Sequence, residues 1–107
     1  MRNNFTQETR DLFDMGGYAI DWEDGRNDAD CIHHIMKRSS NSAYNAAPLN
    51  NIRTHQPEGR KGLPSIHSEI TIRKFLNKTK RFLDEIGYQP NEEDLKFLQI
   101  NKKYYDN

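Results

Sequence analysis

The chain has 107 residues, of which 34% are apolar and 30% charged, and its formal net charge is zero. That length allows one domain, residues 1–107, with a lean core, and a metal that ties loops together would help such a core to fold. No run of roughly 18 apolar residues exists to cross a membrane, Met1-Arg2-Asn3-Asn4-Phe5 lacks the apolar stretch of a signal peptide, and the single Cys31 excludes an internal disulfide and a CxxC zinc knuckle, so a reducing, cytoplasmic setting is expected.

In chain order, Phe5 to Met15 reads as a short helix, capped by Thr6 or Asn4 and ended by Gly16-Gly17. Tyr18 to Trp22 alternates weakly and predicts a strand, and Asp24-Gly25 is a turn signal. Ala29 to Met36 predicts a second strand, which carries His33 and His34. Neighbouring side chains on a strand point to opposite faces, so the two imidazoles are free to do different work. Lys37 to Ala47 is polar and loop-like, Pro48 to Thr54 predicts another short strand, and Gln56 to Pro64, with two Gly and two Pro, predicts a loop. Ile66, Ile70, Phe75, Leu76, Phe82, Leu83 and Ile86, with Thr79 bridging the stripe, predict a helix over Ser65 to Ile86. Gly87 would cap it. A last helix begins at Asn91, with Glu92, Glu93 and Asp94 in the first turn where the dipole favours acids. Leu95 and Leu98, with Phe97, would pack it back, and Tyr104 to Asn107 would fray.

The zero net charge conceals a segregation. Residues 1–32 hold three Lys/Arg against eight Asp/Glu, a balance of −5; residues 33–81 hold ten against two, a balance of +8; residues 82–107 hold three against six, a balance of −3. All four histidines (33, 34, 55 and 67) lie in the basic block. Such a block suits a polyanion, nucleic acid first. Arg38, Arg53, Arg60 and Lys61, with Arg73, Lys74, Lys78, Lys80 and Arg81 on the long helix, are candidates for phosphate contacts that position a duplex without reading its bases. The order predicted here puts His33 and His34 on one strand, His55 at the end of the next and His67 in the first turn of the long helix. Ligands at a strand end and a helix start can converge on one ion.

Three segments together resemble the HNH endonucleases: Ile32-His33-His34-Ile35-Met36-Lys37-Arg38, then Asn45-Ala46-Ala47-Pro48-Leu49, then a following histidine. The likeness spans roughly residues 30–80 and is nearest to the phage-encoded branch without thiolates. Two departures stand out. The flanking CxxC pairs of many members are absent, and the gap from His55 to His67 is longer than one helical turn, as a loop insertion over Gln56 to Pro64 would make it. Either histidine or both could therefore ligate.

The resemblance implies an α+β fold with a ββα-metal (His-Me finger) centre, wrapped by an N-terminal helix and a C-terminal helical pair. It implies a metal-dependent DNA endonuclease that leaves 5′-phosphate and 3′-hydroxyl ends. His34 would be the general base, a task that suits an imidazole's ordinary titration near pH about 6.5. His33 would ligate one divalent metal ion with His67 and His55; Mg²⁺ is the expected ion, and Mn²⁺, Ni²⁺ or Zn²⁺ would also be accepted. Asn45 would brace the loop near His34. DNA is the expected partner, and because so small a chain has little surface for long-site recognition, either low intrinsic sequence specificity or a protein partner that supplies specificity is expected. A bacterial or phage-infected host cytoplasm fits the likeness. Two rival readings are a non-catalytic DNA-binding module on the same scaffold and a small metal-stabilised adaptor.

Overall fold

The computed structural model describes residues 5–14, 19–37, 40–55 and 66–106, with the side chains of Arg53 and His55 outside the description. The architecture is α+β: among the described residues there are four α-helices and a two-stranded antiparallel sheet. Among the described residues no helix is long and apolar enough to cross a membrane.

Helix α1 spans Gln7–Phe13, and the Thr6 hydroxyl accepts the Thr9 N–H at its start. Such a cap satisfies one of the orphan donors of a first turn. No strand forms over residues 19–22. Instead the buried Asp21 turns the chain: its N–H donates to the Arg26 carbonyl, its carbonyl accepts from Gly25, and its carboxylate accepts the Glu23 N–H. Gly25, at φ 78°, supplies the left-handed residue this turn needs. Weak alternation was a poor guide because a turn-forming aspartate sits in the middle of it.

Strand β1 is Cys31–His34 and strand β2 is Ala46–Leu49, paired so that His33 faces Ala47 and His34 faces Ala46. β2 therefore begins two residues earlier than Pro48. A 3-10 turn over Ala43–Asn45, capped by the Ser42 hydroxyl, feeds into it. The chain then enters helix α2, Asn51–His55, where a strand was expected. The cause lies far away in sequence: the Asp21 and Asp30 carboxylates accept the Asn50 and Asn51 N–H groups (both 2.8 Å), which satisfies donors that a helix start leaves unpaired. His55 consequently lies on a helix rather than at a strand end.

Helix α3, Glu69–Glu85, is the longest element, and the Ser68 hydroxyl caps it by accepting the Thr71 N–H. His67 thus precedes the cap and is not in the first turn. The buried positions are Thr71, Phe75, Leu76, Thr79 and Leu83, spaced for one helical face, whereas Ile70, expected on that face, is 68% exposed. Thr79 is the polar link in the core. Its hydroxyl accepts from the Trp22 indole at 2.7 Å and donates to the Ala46 carbonyl at 2.8 Å, tying the long helix to both the loop and β2. Trp22 also packs edge-on against Phe13 and Phe82. The helix ends in a Schellman arrangement: Gly87 has φ 76°, its N–H donates to the Asp84 carbonyl, and the Tyr88 N–H donates to the Leu83 carbonyl.

Helix α4, Glu92–Ile100, carries a complete capping box in which Asn91 and Asp94 satisfy each other's backbone N–H groups. The fully buried Asp94 also accepts from the Ser42 and Tyr88 hydroxyls, which fastens α4 to the segment before β2. Phe97 is the buried anchor of this helix, while Leu95, expected to pack inward, is 57% exposed. The tail through residue 106 does not fray. Arg73 donates to the Lys103 and Tyr104 carbonyls, and the Asn77 amide bonds the Tyr104 carbonyl and the Asp106 N–H.

Candidate functional site

The alternation of β1 places Cys31 and His33 on one face and Ile32 and His34 on the other. Both histidines are half-buried. The His33 Nε2 lies 3.1 Å from the Cys31 sulfur, whose thiol is pushed up to about 11, first by burial and then by the charge and hydrogen bond of Asp30. On the opposite face, the His34 ring stacks on Phe5 with centroids 4.4 Å apart, and its Nε2 lies 2.8 Å from the Asn41 Oδ1.

Beyond β1 the backbone is locked by one side chain. Asn45 is fully buried; its Oδ1 accepts the Met36 N–H at 2.7 Å, and its Nδ2 donates to the carbonyls of Met36 and Ser40. Its own carbonyl accepts the Ile35 N–H. Asn45 therefore fixes Met36 and Ser40 relative to the strand that holds His34. His67 comes to the same strand end, its Nδ1 donating to the Ile35 carbonyl at 3.2 Å. Because a carbonyl only accepts, that bond places a hydrogen on Nδ1 of His67.

His33, His34 and His67 are brought to one end of β1, but their ligand atoms do not form a compact triad. Among the described residues, the one group of three metal-capable side chains with ligand atoms within 4.8 Å of one another is Asp21, Asp24 and Asp28. The fourth histidine, His55, sits on α2 with its side chain outside the description.

Of the basic candidates, Arg38, Arg60 and Lys61 lie outside the described residues, as does the Arg53 side chain. Arg73 and Lys74 are exposed on α3 and line a shallow groove with Ile70, Asn77, Lys78, Arg81 and the acidic Asp106. Their amino and guanidinium groups also serve the fold: Arg73 holds the tail, Lys74 donates to the Glu23 carbonyl and Lys78 to the Trp22 carbonyl. The Lys78 ammonium is shifted down by burial and then by the like charges of Lys74 and Arg81.

The chain matches no family model, no curated protein and no solved structure in these comparisons.

Sequence reasoning missed Phe5, Cys31 and Asn41 as neighbours of the histidine pair. Cys31 carried a usable signal, since a residue two before His33 on a strand shares its face. Phe5 and Asn41 carried none, because their contacts arise only when α1 and the 40–42 segment fold over β1.

Proposed function

We propose that this chain is a metal-dependent DNA endonuclease, with β1, β2 and α2 forming a ββα-metal centre and His34 serving as general base. The observation that carries the reading is the placement of His33 and His34 at the end of the first strand of a hairpin that runs directly into a helix, with the Asn45 amide bonded to the backbone two residues past His34.

In this reading His34 takes a proton from a water molecule, and the oxygen so activated forms a bond to phosphorus. The bond from phosphorus to the 3′-oxygen breaks, the departing oxygen gains a proton from solvent, and the ends are a 5′-phosphate and a 3′-hydroxyl. His33 and His67, with His55, would hold the metal. Imidazole donors suit Mn²⁺, Ni²⁺ and Zn²⁺ more closely than Mg²⁺, which favours oxygen ligands, and the carbonyl-bonded His67 ring fits such a set. A bound divalent cation supplies Lewis-acid neutralisation of the charge that develops on the phosphate. Arg73, Lys74, Lys78 and Arg81 contact backbone phosphates along the α3 groove, independent of base sequence. Arg38, Arg53, Arg60 and Lys61 extend that contact, and a protein partner supplies target choice.

A second reading, a non-catalytic DNA-binding module, has one observation in its favour: the basic groove of α3 is assembled without any contribution from the histidines. Incubation of the protein with supercoiled plasmid and Mg²⁺, Mn²⁺, Ni²⁺ or Zn²⁺, against an EDTA control, separates the two. Metal-dependent nicking to 5′-phosphate ends is expected. Retarded but uncut DNA under every metal supports the binding module instead.

A further inference from the structure

We infer that Asn41 is a positioning residue that fixes the tautomer of His34 and so assigns proton uptake to its Nδ1; the catalytic consequence rests on the nuclease reading above, the tautomer does not. The His34 Nε2 and the Asn41 Oδ1 are 2.8 Å apart. An amide oxygen only accepts, so Nε2 carries the hydrogen, and a neutral imidazole then bears its lone pair on Nδ1.

Two further contacts make this a held geometry. The Asn41 N–H donates to the Glu93 Oε2 at 3.3 Å, and the Ser40 hydroxyl donates to the same oxygen at 2.9 Å. The Ser42 hydroxyl, one residue on, donates to Asp94. The first turn of α4 thus grips residues 40–42 by three hydrogen bonds, and the Asn41 side chain inherits that anchorage. From the other side, Phe5 lies against the His34 ring at 4.4 Å and 26° between planes, which opposes rotation of the imidazole. One partner holds an edge of the ring and the other a face. Asn41 touches neither water nor phosphate in this account. It acts through His34, as residues that orient catalytic imidazoles do.

An amide turned by half a revolution would place Nδ2 against Nε2 and make Nε2 the basic nitrogen. The inference therefore predicts one of two distinguishable states. The test uses the full chain labelled with ¹⁵N, with the ring signals of His34 assigned by comparison with His34→Gln. At a pH where the ring is neutral, long-range ¹H–¹⁵N correlation is expected to show an Nε2-bound, hydrogen-bonded proton in slow exchange in the wild type and in Asn41→Asp, which keeps an acceptor. In Asn41→Ala that proton is expected to exchange too fast to observe. Asn41 is exposed, so the variants are expected to fold, and circular dichroism verifies it. An Nδ1-bound proton in the wild type, or an unchanged Nε2 signal in Asn41→Ala, overturns the assignment. Where the wild type cleaves DNA, Asn41→Ala should lose on the order of 10–100-fold in kcat with DNA affinity kept and Asn41→Asp restoring the rate; an undiminished kcat contradicts the positioning role. A chain that never cleaves defeats the nuclease reading alone, and the ring spectrum still decides the tautomer.

Discussion

Asn45 satisfies three backbone groups with one buried side chain, and no other residue type has an acceptor and a two-hydrogen donor in that shape. Truncation would remove the amide's bonds to the Met36 N–H and to the Met36 and Ser40 carbonyls beside the core. Asn45→Ala is therefore expected to destabilise the chain by about 3 kcal/mol, read as a lower urea midpoint at unchanged slope; a loss under about 1 kcal/mol would mean that water replaces the amide. Asn45 was singled out in the sequence as a brace by the resemblance of Asn45-Ala46-Ala47-Pro48-Leu49 to a motif, although the strand was expected only from Pro48. Asn41 was not legible. It is one of several polar residues in the same loop, and what distinguishes it is Glu93, which reaches it from 52 positions away. Asp21 was hidden for a similar reason: its carboxylate serves Asn50, 29 residues on, and it turns the chain where alternation suggested a strand.

Among the elements, helix ends were read more reliably than strands. Thr6, Gly87 and Asn91 act as caps through their own side chains or their own φ, which are local properties and visible in sequence. Strand β2 and helix α2 depend on carboxylates from distant loops, so the same stretch read alone gave one extended segment. Ile52, within that stretch, is exposed rather than part of the core. Gly87 permits a direct test. A Cβ there would meet nothing within 4 Å, so Gly87→Ala incurs only the left-handed backbone penalty, about 1 kcal/mol. Thermal unfolding should show a modest drop in midpoint and an unchanged far-ultraviolet spectrum. Complete loss of cooperative unfolding would show that the C-terminal helical pair depends on this turn far more than its geometry indicates.

At the scale of the whole molecule, the acidic and basic blocks of sequence are folded against each other. The acidic start of α4 grips the loop beside His34, and α3 carries its basic groove on the face opposite the buried stripe. The same packing encloses several tyrosines. Tyr44 is pushed up to about 12 by burial and then by the charges of Asp84 and Asp94, and Tyr88 and Tyr105 are raised as well, burial again leading. Unfolded tyrosines lose their protons near pH about 10. Above that pH the unfolded state binds fewer protons than the folded one, so stability falls as pH rises toward about 12. Melting temperatures measured from pH 8 upward should be level to about pH 10 and then decline, with Tyr44, Tyr88 and Tyr105 contributing phenolate absorbance only on unfolding; a folded-chain phenolate signal near pH 10 from more than two of the five tyrosines would contradict the burial.

The assignment of His34 as the base is the centre of the account, and a paired assay of the wild type and His34→Ala tests it most directly. DNA affinity and metal-dependent nicking of supercoiled plasmid are measured on the same preparations. Equal affinity and a loss of nicking by at least about 10²-fold, the usual contribution of a general base, are expected. Nicking that survives the substitution at the wild-type rate would contradict that assignment.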